Sequence, residues 1–462
     1  MTTSNDSRPG PPAGAPKSSL EIDTDAVFDP STYADGVPFD ALARLRRHQP
    51  VVWVEERPVL GWPGGPGFWL VLRHADVAEV MTQPQLFSSA LGGTQIRDPA
   101  TPDALRYVRR MMLNMDPPEH SRLRRLLTKS FTPRAVGQLE DRIRAHAGAI
   151  VARAVGAATS GRCDFAKDVA AELPLLTLVE VLGVPAEDRM LLFDWSNRVI
   201  GYQDADYATS AEFDATTGTS MAREALRHRP SPGPDGSMPD PRTREGMADL
   251  YTYAHLLAEE KRRRPGADVM SILLAQVDDD GGQLSVEEFE NMFWLFAVAG
   301  NETLRNGLPG ACIGLLDHPA IQDELRTDPT LLPGAVEELL RWWTPVMTFR
   351  RTAASDCRLG GVGIRAGDKV VVSFTSANRD EAVFADPDRL DIRRHPNPHF
   401  TFGYGPHFCL GAQLARVQMR ALFAEVLAQM GSLEYDGRPA YLRSNFQRGV
   451  KRLPVRWSRS SG

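Results

Sequence analysis

The chain has 462 residues, 42% of them hydrophobic, which is ample material for a large buried core, and its formal net charge of −6 offers no basic surface for nucleic acid. Its four cysteines, Cys163, Cys312, Cys357 and Cys409, form no C-x-x-C pair, which argues against a zinc site or disulfide framework and for a reducing compartment. No apolar run of about 18 residues and no basic-then-apolar leader pattern occurs, so a cytoplasmic protein without a membrane anchor is expected.

Residues 1–26 are rich in Pro, Gly, Ser and Thr and poor in large apolar side chains, so a disordered tail is expected, with structure beginning near Phe28. A helical pattern from Phe39 to Arg47 precedes two strand-like runs, Val51–Val54 and Gly67–Leu72, divided by a Pro/Gly turn; His74–Met81 then returns to helical spacing. Phe87 to Pro102 has no clear period and reads as a long loop. The double proline Pro117-Pro118 starts a helix on which His120 and Arg124 share a face. Such a pair suits an anion, or else is a solvated basic face.

Helical spacing recurs over Leu173–Trp195 and Met247–Arg264. Between them, Arg227 to Gly246 is a loop by composition. Ser285 and Glu288 form a capping box, and the helix they open places Phe289, Met292, Phe293, Phe296, Ala299, Gly300 and Thr303 on one apolar face. Thr303 is thereby aimed inward, although a mid-helix Thr also bonds back to its own backbone, with a solvated Glu302 beside it. Pro309 predicts a kink or an early end. Leu332-Pro333 starts a further helix carrying Glu338 and Arg341 at i and i+3, a spacing that by itself gives only an exposed ion pair. Strands are expected at Cys357–Leu359, Val362–Ile364 and Lys369–Phe374.

The most informative stretch is Phe402-Gly403-Tyr404-Gly405-Pro406-His407-Phe408-Cys409-Leu410-Gly411. Its glycines and proline forbid regular helix, while Leu410, Leu414, Val417, Ala421, Ala424 and Ala428 repeat at helical spacing until Gly431. Cys409 therefore sits on a rigid loop beside a helix N-terminus, where amide dipoles lower a thiol pKa and N–H groups can bond a thiolate. The alternative for any single cysteine is a small, inert, buried hydrophobe.

The spacing Phe-x-x-Gly-x-His-x-Cys-x-Gly closely resembles the haem-binding loop of the cytochrome P450 family, and the resemblance extends over about Phe28 to Trp457 with its motifs in family order. It implies a mainly α fold with small β-sheets: one large helical catalytic domain with a β-rich lobe over residues 27–462, binding haem b with Cys409 as axial iron ligand. Phe402, Gly405 and Gly411 would shape that loop, and Ala299 and Gly300 would face the haem from the long helix. Asp116-Pro117-Pro118-Glu119-His120 with Arg124 is similar to the family's propionate-contacting helix; Arg351, preferred over its neighbour Arg350, and His407 are the other implied propionate contacts. Ala299-Gly300-Asn301-Glu302-Thr303 resembles the oxygen-binding groove, with Thr303 and Glu302 as the alcohol–acid pair that manages protons, Glu302 relaying them from water.

The same resemblance implies a buried structural network of Glu338, Arg341 and Arg389, and a substrate pocket formed by Phe296, Ala299, Val346, Met347 and Thr348. Residues from about 202 to 246 look like an insertion in the lid region, mobile or shaping access to the pocket. Without a flavin or iron–sulfur motif, the chain would draw electrons from NAD(P)H through an external reductase and a ferredoxin docked on a basic face that includes Arg122, Arg125, Lys129 and Arg134. Dioxygen and a hydrophobic small molecule are the expected substrates, and a monomer is expected. Leu113–Pro118 and Ala297–Thr303 look most like bacterial members that oxidise steroid, terpenoid or branched-lipid skeletons. Two rivals stand beside this monooxygenase: a peroxide-using hydroxylase, recognised by activity with peroxide and none with ferredoxin, and a haem-thiolate sensor, excluded by NADPH consumption coupled to product.

Overall fold

A capping box opens the described chain. Ser18 Oγ accepts from the Glu21 amide at 3.2 Å and Glu21 returns a bond to the Ser18 amide at 2.6 Å, starting the helix Ser19–Phe28. Val27 and Phe28 bury against Leu42, Leu45 and Phe68. The expected tail is thus corrected over residues 18–26: its apolar residues are few, but the last two find an apolar surface to cover. The structure, a computed structural model, describes residues 18–457 except 100, 129–130, 132, 158–160, 210–215, 235–237 and 278–281; residues 1–17 and Lys129 lie outside the described residues.

Helices make up 55% of the molecule, and the sheets are small. The largest has five strands in the order Val51–Val54, Phe68–Val71, Lys369–Ser373, Thr348–Ala353, Phe87–Ser88. The first two pair antiparallel with Trp53 opposite Trp69, and Phe68–Val71 then runs parallel to Lys369–Ser373 with Leu70 opposite Val371. Thr348–Ala353 closes antiparallel on Lys369–Ser373, placing Arg351 opposite Val370. Strands rich in Val, Phe and Trp suit this position because both faces are covered.

The long helix Val286–Asp317 organises the rest. Its capping box is formed as the sequence predicts, with the Glu288 amide donating to Ser285 Oγ at 3.1 Å. It packs on Glu172–Leu182, Arg189–Ile200, Ala248–Arg263 and Leu332–Trp343. Phe289, Met292 and Phe293 in its first half belong to one apolar cluster, and Leu308, Ala311 and Leu315 in its second half to another. Ala299 to Thr303 lie where the two cores meet. The helix does not end at Pro309; the residues around the proline are buried, and Trp343 packs so tightly on Gly310 that any side chain there would clash. Close packing lets the helix continue past Pro309 although the proline contributes no backbone N–H.

The segment from 202 to 246 is tied down at several points. Arg229 donates twice to Asp194, at 2.8 and 2.9 Å, the Thr219 amide and hydroxyl bond Asp188 at 2.8 and 2.7 Å, and Arg244 pairs with Glu290 at 3.0 Å. The segment also carries two short helices, Ala205–Ala208 ahead of these ties and Ser220–Leu226 between the first two.

Glu338 and Arg341 are fully buried and doubly bonded, both at 2.7 Å, but Arg389 is not the third member. Its side chain is exposed, and only its carbonyl accepts from Arg341, at 3.2 Å. Arg394 takes the place instead, reaching both Glu338 oxygens at 3.1 and 3.2 Å, and Asn397 adds a bond at 3.1 Å. Arg341 also bonds the carbonyls of Asn378 and Pro387, so the network clamps the chain that leads to the Cys409 loop. Glu338→Ala, which strands two guanidinium groups, should cost about 3–5 kcal/mol in chemical denaturation, whereas Arg389→Ala should stay within about 0.5 kcal/mol.

Candidate active site

The Cys409 loop is built by three backbone bonds: Gly403 N–H to Phe400 O at 2.8 Å, Phe408 N–H to Gly405 O at 3.0 Å and Cys409 N–H to Phe402 O at 2.8 Å. Gly403 and Gly405 have φ of +70° and +68°, a region that disfavours side chains. The cysteine faces an interior cavity of about 260 Å³ together with Phe402, Gly403, His407, Leu410 and Gly411. Gly405 does not line it; a Cβ there would strike the Met81 carbonyl, so this glycine serves the turn and not the wall. Behind the cysteine runs the helix Ala412–Gln429, whose Ala424 and Ala428 are exposed, not core.

The thiol departs from expectation. Burial pushes its pKa up, against the opposing pull of the Gly411 N–H and the charges of Arg124 and Arg416. The loop therefore presents donors and positive charge to the sulfur, but a cation is needed to hold it as thiolate.

Across the cavity stands a cluster of basic groups. The His120 and His407 rings are 4.1 Å apart, Ser89 Oγ is 3.4 Å from His407 Nε2, and Arg124 lines the same wall. Burial and the charges of Arg124 and Arg351 push His120 down to about 4; burial, Arg351, His120 and Arg124 push His407 down to about 2. Burial alone lowers Arg351 to about 10, against Asp116. Both His120 ring nitrogens and Arg351 Nη2 are buried without a hydrogen-bond partner. Arg350 is committed elsewhere, to Asp98 at 2.6 Å and the Ile96 carbonyl at 3.1 Å, which leaves Arg351 as the available guanidinium. No described residue lining the cavity is acidic. A dianionic, largely apolar group with a cation that takes one thiolate would satisfy every one of these groups, and haem is such a molecule.

On the opposite wall Phe296, Ala299, Gly300 and Thr303 line the cavity. Thr303 Oγ1 donates to the Ala299 carbonyl at 2.8 Å, the back-bonded arrangement. Glu302 is fully buried, is absent from the lining, and faces away. Consecutive helical residues are turned about 100° apart, so an inward Thr303 directs Glu302 into the neighbouring helices. Its Oε1 accepts from Ser196 Oγ at 3.1 Å and Arg305 Nη1 at 3.0 Å, and its Oε2 from the Tyr207 hydroxyl at 2.5 Å. In this arrangement Glu302 does not meet water, contrary to the expected relay.

Of the three residues expected after the Glu338 helix, only Val346 lines the cavity. Met347 exchanges backbone bonds with Phe446 and Phe374, and Thr348 Oγ1 donates to the Asn445 carbonyl at 3.2 Å; both are buried in the wall behind. Phe349 takes their place, with Phe131, Leu178, Val181 and Leu295 completing the apolar surface. Val346 and Met347 precede the strand Thr348–Ala353, so the strand's alternation could not be read back from Val346. Leu178, whose methyl lies against Gly300, comes from a helix whose apolar residues carry no mark of which cavity they face.

The comparisons with known proteins agree. The Cytochrome P450 family profile matches residues 251–431. The steroid C26-monooxygenase of Rhodococcus jostii is 36% identical over 437 residues, 94% of this chain and 85% of that protein. The methyl-branched lipid omega-hydroxylase of Mycobacterium bovis is 35% identical over 450 residues, 97% of each chain. Among solved structures, the Mycobacterium marinum cytochrome P450 CYP268A2 in complex with pseudoionone superposes with a TM-score of 0.77 at 35% identity, covering 96% of this chain and all of that one.

With its cysteine loop, buried cations and long helix so arranged, the chain belongs to the cytochrome P450 family. It is a haem-thiolate monooxygenase, an oxidoreductase that uses O2 to hydroxylate a hydrophobic substrate, with haem as cofactor and electrons supplied from outside the chain. No helix among the described residues is long and apolar enough to cross a membrane.

One support of the site was missed in the sequence. Arg416 lies over the Phe402 ring at 4.4 Å and is held by Glu337 through bonds of 2.6 and 2.7 Å, while His399 meets the same carboxylate at 3.2 Å. Burial would raise the Glu337 pKa, but these bonds and charges outweigh it and pull it from 4.5 to about 2. A carboxylate depressed in the folded state adds stability above its unfolded value, lost as pH falls from about 4.5 through about 2. Glu337→Gln should therefore be less stable than wild type in urea at about pH 7, with the gap narrowing below about pH 4.5 and closing only near pH 2.

Proposed function

We propose that Cys409 supplies the axial sulfur, that His120, Arg124, Arg351 and His407 hold the two propionates, and that Phe402, Gly411, Ala299 and Gly300 form the walls against the macrocycle. The observation that carries this reading is the set of buried, partnerless donors on His120 and Arg351 in a cavity whose described lining contains no acid. Bound haem supplies the iron centre that activates dioxygen, favoured by electron density from the thiolate. Thr303 holds a proton-bearing hydroxyl at the cavity wall, and Glu302, one residue before it, is the acid that replenishes it once turned from its present partners.

The substrate reading follows from the lining. Phe296, Val346, Phe349, Leu178 and Val181 offer only hydrocarbon, and the hydroxyls of Thr177, Thr303 and Thr401 each give their proton to a backbone carbonyl. A substrate is therefore held by shape, with an apolar end toward the iron. Relatives named for steroids and methyl-branched lipids, and a neighbour solved with pseudoionone, support a steroid, terpenoid or branched-lipid skeleton.

For electron supply we propose NAD(P)H, a separate reductase and a ferredoxin, docking on the cysteine side where Arg125, Arg134, Tyr404 and Phe408 are exposed. The chain acts as one catalytic domain over residues 27–462, with 202–246 as a lid insertion, working as a cytoplasmic monomer.

Cys409→Ser should abolish the thiolate-type absorption band of the reduced carbonyl complex; a persisting band would remove Cys409 from the iron. Thr303→Ala should keep haem and substrate binding, read as the low-to-high-spin shift, while product per NADPH falls by about tenfold or more.

A further inference from the structure

Tyr207 comes from Ala205–Ala208, a short helix inside the insertion, yet its hydroxyl makes the shortest of the three bonds on Glu302. The other two donors belong to the helical core: Ser196 to Arg189–Ile200 and Arg305 to the long helix itself. Arg305 also lies between the rings of Phe193 and Tyr207, at 3.9 and 4.8 Å, so the tyrosine supports both the acid and its counter-charge. Elsewhere the segment is held by Asp204 to Lys451 at 2.9 Å and to the Arg443 amide at 3.1 Å, by Gln203 to Asn445 at 3.0 Å, and by the Tyr202 ring stacked on Trp62 at 5.4 Å. Of the three groups on Glu302, then, only Tyr207 moves if this segment moves.

We infer that Tyr207 is a positioning residue that holds Glu302 withdrawn from the cavity, so that displacement of Gly201–Ala208 governs when the acid can turn toward Thr303. The inference rests on the reading of Glu302 as the acid that serves Thr303. A carboxylate that loses a hydroxyl donor redistributes among its remaining orientations, and the cavity side of the helix is lined by the small residues Ala299 and Gly300. The arrangement links the state of the insertion to proton supply. With the segment docked, electrons that arrive without substrate meet a site short of protons.

The test uses the haem-loaded enzyme with a surrogate ferredoxin, its reductase and no substrate, measuring the leak in which NADPH, O2 and a proton give NADP+ and hydrogen peroxide. Tyr207→Phe should raise peroxide formation about tenfold, the least expected from losing a hydrogen bond to a charged group. It should also speed amide hydrogen exchange over Gly201–Ala208, and adding E302Q should cancel the extra peroxide. Ser196→Ala, which removes a donor from the same carboxylate without touching the segment, should leave that exchange unchanged. Unaltered peroxide formation in fully haem-loaded Y207F overturns the inference, as does S196A loosening the segment as much as Y207F. If E302Q alone leaves product per NADPH intact with substrate present, the reading of Glu302 itself fails, and the two failures are distinguishable. Should Y207F take up haem poorly, exchange over Gly201–Ala208 in E302Q reads the link from the other end: faster exchange supports it and unchanged exchange overturns it.

Discussion

Four basic groups gathered around one cavity without an acid in its described lining are the constraint on which this structure turns. Arg124 and Arg351 disfavour protonation of His120 and His407, and all four have lost much of their water, a placement that is costly until an anion arrives. They stay in place because each supporting element is anchored elsewhere. Asp116 accepts from the Ser89 amide at 2.8 Å and the Ala90 amide at 3.3 Å ahead of the His120 helix, Arg350 fastens the strand of Arg351 to Asp98, and Glu337 fixes Arg416 beneath the cysteine loop. The stability of the protein is therefore inseparable from its cofactor, as for any ligand that binds the folded state alone.

The long helix converts this electrostatic demand into a working geometry. Its two halves are gripped by separate apolar clusters, so Ala299 to Thr303 are positioned by packing on either side and can themselves be small. Small residues at that point leave room in the cavity they line. The helix also divides two polar residues between two environments: Thr303 toward the cavity, Glu302 into a buried network shared with Ser196 and Tyr207.

What could be read from the sequence were features fixed within a few residues. The cysteine loop is legible because turn chemistry and ligand lie in one stretch of ten, and the long helix because a capping box and a 3.6-residue apolar period coincide. The thiol pKa went the other way because loss of water around the sulfur, which is exposed only to the cavity, outweighs the local N–H and nearby charges, and that desolvation is set by the whole fold. Arg394 displaced Arg389 because the side chain that reaches Glu338 depends on the path of a loop, not on spacing. Met347 and Thr348 fell behind the wall because the regular strand begins only at Thr348, so the alternation could not be counted from Val346. The helix at Ser19 was hidden by the composition around it, although Ser18 and Glu21 carry the capping signature.

The parallel pairing of Phe68–Val71 with Lys369–Ser373 has a consequence for how the molecule comes into being. On a ribosome the early hairpin emerges long before the strand that completes it, and must wait with an open edge, a condition that invites association with other chains. Its central partner appears only shortly before the cysteine loop does. Closure of the sheet and capture of the prosthetic group thus fall in the same late interval of synthesis, and a shortage of haem in the growing cell would prolong the moment at which this protein is most prone to aggregate.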